Sequence, residues 1–195
     1  LQSQNTKELV LGEQPIYKVS KTTDTFTADG KMDEPSWQKA EVRTFDHFFR
    51  GDKPADMQKT KFRMLWDDIN LYLFYEFEDT FLAARETAHD GRTYLDDCAE
   101  FFVLPVPDSL NMHYGFEVNV TKIKYDYVML WEFYDNRNVF IPDFNPDYLV
   151  GSTYDGTIND DTDVDKGWTM EFVIPLKVFR GFNIRNLTGK QWAFQ

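Results

Sequence analysis

Residues 97–104 read DCAEFFVL, and with residues 114–120, YGFEVNV, they decide the fold. In an extended strand successive side chains point to opposite faces. Ala99, Phe101 and Val103 therefore part from Cys98, Glu100 and Phe102, and the first set is expected in the core. Likewise Tyr114, Phe116, Val118 and Val120 separate from Gly115, Glu117 and Asn119. One face is apolar; the other carries hydrogen-bonding groups. Residues 125–131 repeat the scheme, as do residues 168–174, where Trp168, Met170, Phe172 and Ile174 oppose Thr169, Glu171 and Val173. Residues 61–66 lead into the turn Asp67-Asp68-Ile69-Asn70 and then LYLFYEF, residues 71–77, apolar on both faces except at Glu76. That pattern predicts a central hairpin.

Clusters of Asp, Asn, Gly and Pro separate these runs, and helix signals are scarce. The stretch Asp33-Glu34-Pro35-Ser36-Trp37-Gln38-Lys39-Ala40 has an acidic cap region and a proline suited to a first helical turn, with Trp37 assigned to the core. The expectation is an all-β chain: a two-sheet antiparallel β-sandwich, jelly-roll-like, with one or two short helical turns. Residues 1–20 are expected to be an N-terminal lead or edge strand and residues 21–195 a single domain, a division that suits a chain of 195 residues.

Charge narrows the partners. With 21 basic and 33 acidic residues the chain carries −12, which repels a phosphate backbone and an anionic membrane surface alike. Nucleic acid is excluded as a partner on that ground. No run of about 18 apolar residues could insert into a bilayer, and LQSQNTKELV at the start lacks the features of a signal peptide. An exported protein would have lost that segment already. The single cysteine, Cys98, forms no internal disulfide and leaves the compartment open.

The stretch DDTDVDKGW, residues 160–168, invites a calcium reading. Counted from Asp161, an EF-hand would need glycine at its sixth place and a bidentate glutamate at its twelfth. Lys166 and Phe172 stand there instead. A solvated hairpin turn with Gly167 at positive φ is the preferred reading, ahead of a looser calcium site. The long connection over residues 79–97 offers Asp79, Asp96 and Asp97 either as calcium ligands at one rim or as strand-end caps. Glu100, Glu117 and Glu171 share an outward parity, which admits glycoside hydrolysis by paired carboxylates or, as the plainer reading, solvated glutamates. No surrounding signature supports catalysis. His47, His89 and His113 are isolated, and there is no nucleophile elbow or phosphate loop. What remains is a face holding Glu100, Glu117, Asn119 and Glu171, rimmed by Tyr94, Trp66 and Trp131. Rings that stack on apolar sugar faces, beside groups that bond hydroxyls, make a carbohydrate platform.

Several pieces in order resemble the family 9 carbohydrate-binding modules and family 9-like domains. They are Ala28-Asp29-Gly30-Lys31-Met32-Asp33-Glu34-Pro35-Ser36-Trp37, Met64-Leu65-Trp66-Asp67-Asp68-Ile69-Asn70-Leu71-Tyr72 and Leu95-Asp96-Asp97-Cys98-Ala99-Glu100-Phe101-Phe102. Phe116-Glu117-Val118-Asn119 follows, then Gly156-Thr157-Ile158-Asn159-Asp160, with Asp165-Lys166-Gly167-Trp168 running on to Pro175. The resemblance implies a β-sandwich that binds carbohydrate without cleaving it, often appended to a larger polysaccharide-degrading enzyme, with structural calcium. It also implies that the DKGW stretch is a hairpin with Trp168 as a packing residue. By the same resemblance Tyr94 takes the place of a stacking tryptophan, Glu100 that of a hydroxyl-binding glutamate and Gln195 that of a late glutamine. Glu117 falls where the family has an arginine, and the chain stops before a second stacking tryptophan. The resulting expectation is an exported domain, extracellular, periplasmic or at the cell surface, whose partner is a polysaccharide or its oligosaccharides. Its rivals are a haem-binding electron-transfer sandwich using Met64, His47 or His113, and a structural or adhesion module.

Overall fold

Strands form where β-branched and aromatic residues alternate, and they end where Asp, Asn, Gly and Pro supply turns. The computed structural model describes residues 15–45, 57–107, 112–130, 139–182 and 187–195. In chain order the strands are β1 (Ser20–Lys21), β2 (Arg43–Thr44), β3 (Thr60–Trp66), β4 (Asn70–Glu78), β5 (Cys98–Leu104), β6 (Met112–Asn119), β7 (Lys124–Leu130), β8 (Val139–Ile141), β9 (Leu149–Asp155), β10 (Gly167–Pro175) and β11 (Ala193–Phe194). Helix among the described residues is confined to 3-10 turns at Pro35–Lys39, Thr93–Leu95 and Leu176–Phe182. The expected two-sheet sandwich is present.

One sheet runs β1-β3-β4-β10-β9, and the other β11-β5-β6-β7-β8. The short β1 and β2 share the free edge of β3: β1 pairs in parallel at Leu65 and Trp66, β2 antiparallel at Phe62 and Lys61. Residues 1–14 lie outside the described residues. Between the sheets, Ala99, Phe101, Val103, Phe116 and Val118 from the second sheet meet Met64, Leu73, Met170, Phe172 and Ile174 from the first. Phe101, Phe116 and Phe172 are each at most 2% exposed, and burying such a side chain contributes about 1.5–3 kcal/mol. Every inward residue expected from alternation in β5, β6 and β10 is in this core.

The first sheet is buried on its outer face too. Phe26, Ala28, Met32 and Trp37 pack over Leu65, Tyr72, Phe74 and Val173. This explains why LYLFYEF is apolar at both parities: Leu71, Leu73 and Tyr75 face the sandwich, while Tyr72 and Phe74 face the cover. Phe26 stacks on Tyr72 at 4.0 Å between centroids and meets Trp37 edge-on. The cover approaches closely because Gly30 has φ of 80° and because a Cβ on Gly151 would sit 2.3 Å from the Gly30 nitrogen.

Two expectations change here. Glu171 does not share a face with Glu100 and Glu117. It lies on the outer side of the first sheet, fully buried, where it accepts hydrogen bonds from Asp29 N and Gly30 N, both 3.2 Å. Burial, with Glu34 nearby, pushes its carboxyl up to about 7. Trp66, expected at a sugar-binding rim, is 8% exposed and turned into the sandwich. Parity along β3 sets Trp66 with Met64 and Phe62, and all three point inward.

Candidate functional site

Among the described residues no segment closes over the second sheet in this way. Its outer face carries Cys98, Glu100 and Phe102 from β5, His113, Gly115 and Glu117 from β6, and Tyr125 and Tyr127 from β7. Glu100 and Glu117 stand directly opposite each other in the β5–β6 register. Like charges so placed repel, which favours the neutral form of a carboxyl in the pair. Burial, then the Glu100 charge, pushes Glu117 up to about 8, against an opposing effect of the adjacent Tyr127 hydroxyl. Glu100 is open to solvent, although the atoms packed around it raise its carboxyl as well. Glu100 thus presents an exposed acceptor, and Glu117, favoured in its neutral form, stands buried beside it.

Rings surround this pair. Tyr127 lies over Gly115, where a Cβ would fall 2.4 Å from the Tyr127 ring, so only glycine lets the ring rest on the sheet. Tyr127 contacts Tyr125 at 5.5 Å and Phe140 at 5.1 Å between centroids, and Tyr125 continues to Tyr94 at 6.0 Å. On the far side Phe102 and His113 touch Tyr127 at 6.2 and 6.0 Å. Tyr127 and Glu117 are buried, while Tyr94 and Phe140 are 47% and 40% exposed. Burial lowers the His113 pKa, which favours the neutral ring. The result is an aromatic strip with exposed rings, beside the exposed acceptor Glu100.

Tyr94 comes from the long connection after β4, and carboxylates set the path of that connection. Phe81 N donates to Asp79 Oδ1, Leu82 N to Asp165 Oδ2 and Ala83 N to Asp97 Oδ2. Ala84 N donates to Asn159 Oδ1, and Arg85 N and Glu86 N to the two oxygens of Asp96. Thr87 N and Ala88 N share Glu86 Oε1, and Arg92 N takes Glu86 Oε2. Eight successive amides of this loop, 81–88, thus donate to side chains, which satisfies the buried ones at Leu82 and Ala84 and orders the exposed ones. Asp165, the last carboxylate of DDTDVDKGW, also accepts Thr157 N at 2.7 Å and is buried. Asp160 closes a local turn on Thr162. Gly167 has φ of 141° and begins β10, so the stretch is a hairpin whose acid anchors a neighbouring loop.

This network decides how the residues expected from sequence are placed. Tyr94, Glu100 and Glu117 are brought together with the second sheet's outer face. Asn119 shares their parity but is fully buried: its amide donates to Glu86 O and Asp96 Oδ2, and its carbonyl accepts from Ile123 N and Thr121. It holds the loop and has no surface to offer. Gln195 is exposed beside β11 and pairs with the Phe102 backbone. Trp131, His47 and residues 183–186 lie outside the described residues. Tyr125, Tyr127, Phe102 and Phe140 were not singled out from sequence. Extending alternation through KYDYVML would have placed Tyr125 and Tyr127 on the Glu117 face.

The calcium candidates differ among themselves. Partial burial would raise Asp96, but the Arg85 and Glu86 amides and Asn119 outweigh it and hold its carboxyl below the usual range. Its oxygens already take three N–H donors. Asp97 is pushed up to about 6, mainly by burial and then by Asp79, whose carboxyl is close by. Asp79 and Asp97 form a mutually repelling pair of the kind a hard cation relieves.

The family model described as carbohydrate family 9 binding domain-like matches residues 28–194. No match was found among curated proteins. A candidate carbohydrate-binding protein from Bacteroides uniformis shares 20% identity and a TM-score of 0.65, over 90% of this chain and 79% of that one. A family 9 carbohydrate-binding module from Caldicellulosiruptor kristjanssonii superposes with a TM-score of 0.59 in each of two structures. The cellotriose complex has 18% identity over 90% of this chain and 72% of that one; the glucose complex has 17% identity over 90% and 74%. At these identities the likeness carries the fold.

Proposed function

The chain belongs to the carbohydrate family 9 binding domain-like family, and from that premise we propose that the outer face of the second sheet, over which no described segment closes, binds a polysaccharide or its oligosaccharides without cleaving them. The observation that carries the reading is the strip of rings from Phe140 through Tyr125 to Tyr94, running beside the Glu100–Glu117 pair. Pyranose rings present flat C–H faces to such aromatics and hydroxyls to the carboxyls. Tyr94 stacks, Glu100 accepts a hydroxyl and the protonated Glu117 supports it. Binding without cleavage fits the burial of Glu117 beneath Tyr127, because a second catalytic carboxyl must reach the anomeric carbon or its attacking water.

Two further readings go with it. Calcium, if resident, sits at Asp79 and Asp97, where it would neutralise the pair that carries the start of the long connection. A chelator would then lower the melting temperature, and an unchanged melt would remove calcium from the account. Export to the cell exterior and attachment to a larger polysaccharide-degrading enzyme fit a domain whose role is to hold substrate.

A glycan array, followed by titration of the best ligand, tests the site. Tyr94→Ala is expected to remove most of the affinity, at least about tenfold. Undiminished binding would reject this face. Reducing-sugar release that disappears in Glu100→Gln would overturn the non-catalytic reading.

A further inference from the structure

His89 stands alone in the sequence, but the fold gives it two carboxylates. Asp90 follows it at φ of 60°, and its amide donates to Lys124 O at 2.9 Å, fastening the loop to the first residue of β7. Two residues along that strand is Asp126, whose parity turns it away from Tyr125 and Tyr127, under the loop. His89 Nδ1 lies 3.1 Å from Asp90 Oδ2, and His89 Nε2 lies 3.9 Å from Asp126 Oδ2. One ligand atom from each of the three residues falls within 4.8 Å of the other two.

Asp126 provides a second, independent observation. It is 1% exposed, and its Oδ1 accepts the Tyr148 hydroxyl at 2.5 Å. Its Oδ2 is also buried, faces the imidazole and has no hydrogen-bond partner among the described residues. A buried carboxylate oxygen left so is costly and calls for a counter-charge or ligand. The Lys124 ammonium acts on Asp126 through its charge but gives its hydrogen bond elsewhere: Nζ donates to Tyr148 O at 2.7 Å and lies over the Tyr148 ring. The imidazole, by contrast, is half exposed, so an ion can enter from solvent on its side.

We propose that His89, Asp90 and Asp126 form a binding site for a divalent transition-metal ion of the zinc class, with one ring nitrogen and two carboxylate oxygens as protein ligands and water completing the shell. Imidazole with carboxylates suits zinc, whereas calcium and magnesium favour oxygen ligands alone. An ion there would bolt the loop that leads to Tyr94 onto β7. The site is separate from Asp79 and Asp97 and does not depend on the carbohydrate reading.

The test uses tag-free protein stripped with a chelator and titrated with zinc chloride, then with calcium chloride, by calorimetry and thermal melting. One zinc per chain, a raised melting temperature and no comparable response to calcium are expected. His89→Gln, at a half-exposed position, should melt like the metal-free parent while losing at least about tenfold in zinc affinity. Asp126→Asn, which keeps an acceptor for Tyr148, should lose affinity as well. Cobalt in place of zinc should give a visible d–d band that His89→Gln abolishes. Absence of zinc binding, equal binding by His89→Gln, or calcium as effective as zinc would each overturn the proposal.

Discussion

The two outer faces of the sandwich begin from the same pattern and end with opposite roles. Each carries a glutamate in mid-strand at an outward position: Glu171 on β10 and Glu117, facing Glu100, on the β5–β6 pair. On the first sheet, residues 26–40 close over the face and turn Glu171 into a clamp for two amides of the Asp29-Gly30 turn. On the second sheet no described segment closes over, and the glutamates lie within an aromatic strip whose ends are exposed. An outward carboxyl is therefore a strut or a ligand group according to what covers it. Its own strand does not decide which.

Removing the cover should have the largest effect. Trp37 is fully buried at the centre of the covered face, against Phe26 and Phe74. Trp37→Ala is expected to cost about 3–5 kcal/mol in urea unfolding, and a loss below about 1 kcal/mol would show that the cover is dispensable.

The next largest effect concerns protonation on the same face. Glu171 has a folded pKa of about 7, above its ordinary 4.5. Its folded form holds the extra proton, so the contribution is fully present below about pH 4.5 and is lost as pH rises through 7. Stability of the parent should fall over that window relative to Glu171→Gln, by on the order of 2–3 kcal/mol. Parallel pH profiles of the two proteins would remove the clamp from the account.

Asp165 tests the rim of the open face. Asp165→Asn retains one acceptor and leaves Leu82 N or Thr157 N unpaired, a loss of about 1–2 kcal/mol by thermal or chemical unfolding. Hydrogen exchange at residues 81–88 should rise with it, and unaltered exchange would show the loop to be held by other bonds.

The smallest stability effect belongs to Tyr94. Because that ring is exposed, Tyr94→Ala should shift unfolding by less than about 0.5 kcal/mol while glycan affinity falls. A large stability loss would make Tyr94 a packing residue and erase the contrast between the faces. The open face has a pH signature of its own: above about pH 8 Glu117 ionises opposite Glu100, and carbohydrate affinity should decline.

Some of the site was legible in the chain. Glu100 and Glu117 were legible as outward residues because alternation in DCAEFFVL and YGFEVNV is local and strict, and Ala99, Phe101 and Val103 are interior as it required; the stacking role of Tyr94 came from the family resemblance and not from alternation. Asn119 obeyed the same parity and was still misread, since Glu86 and Asp96 lie over it in space and not beside it in sequence. Trp66 looked like a rim residue because it precedes a turn, yet the sandwich closes on it. His89 and Asp126 are 37 residues apart in the chain and meet only through the loop's return to β7.

By itself the sequence determined the class of fold and the inward or outward sense of the residues in β5, β6 and β10, because a period of two is set within a few bonds of every side chain. Which outward residues stay open was decided by tertiary structure alone. The contacts that close Glu171 join residues about 140 positions apart, a separation over which local pattern carries no information, and the loop beside Tyr94 is held in part by Asp165 and Asn159, both more than 70 residues away in the chain.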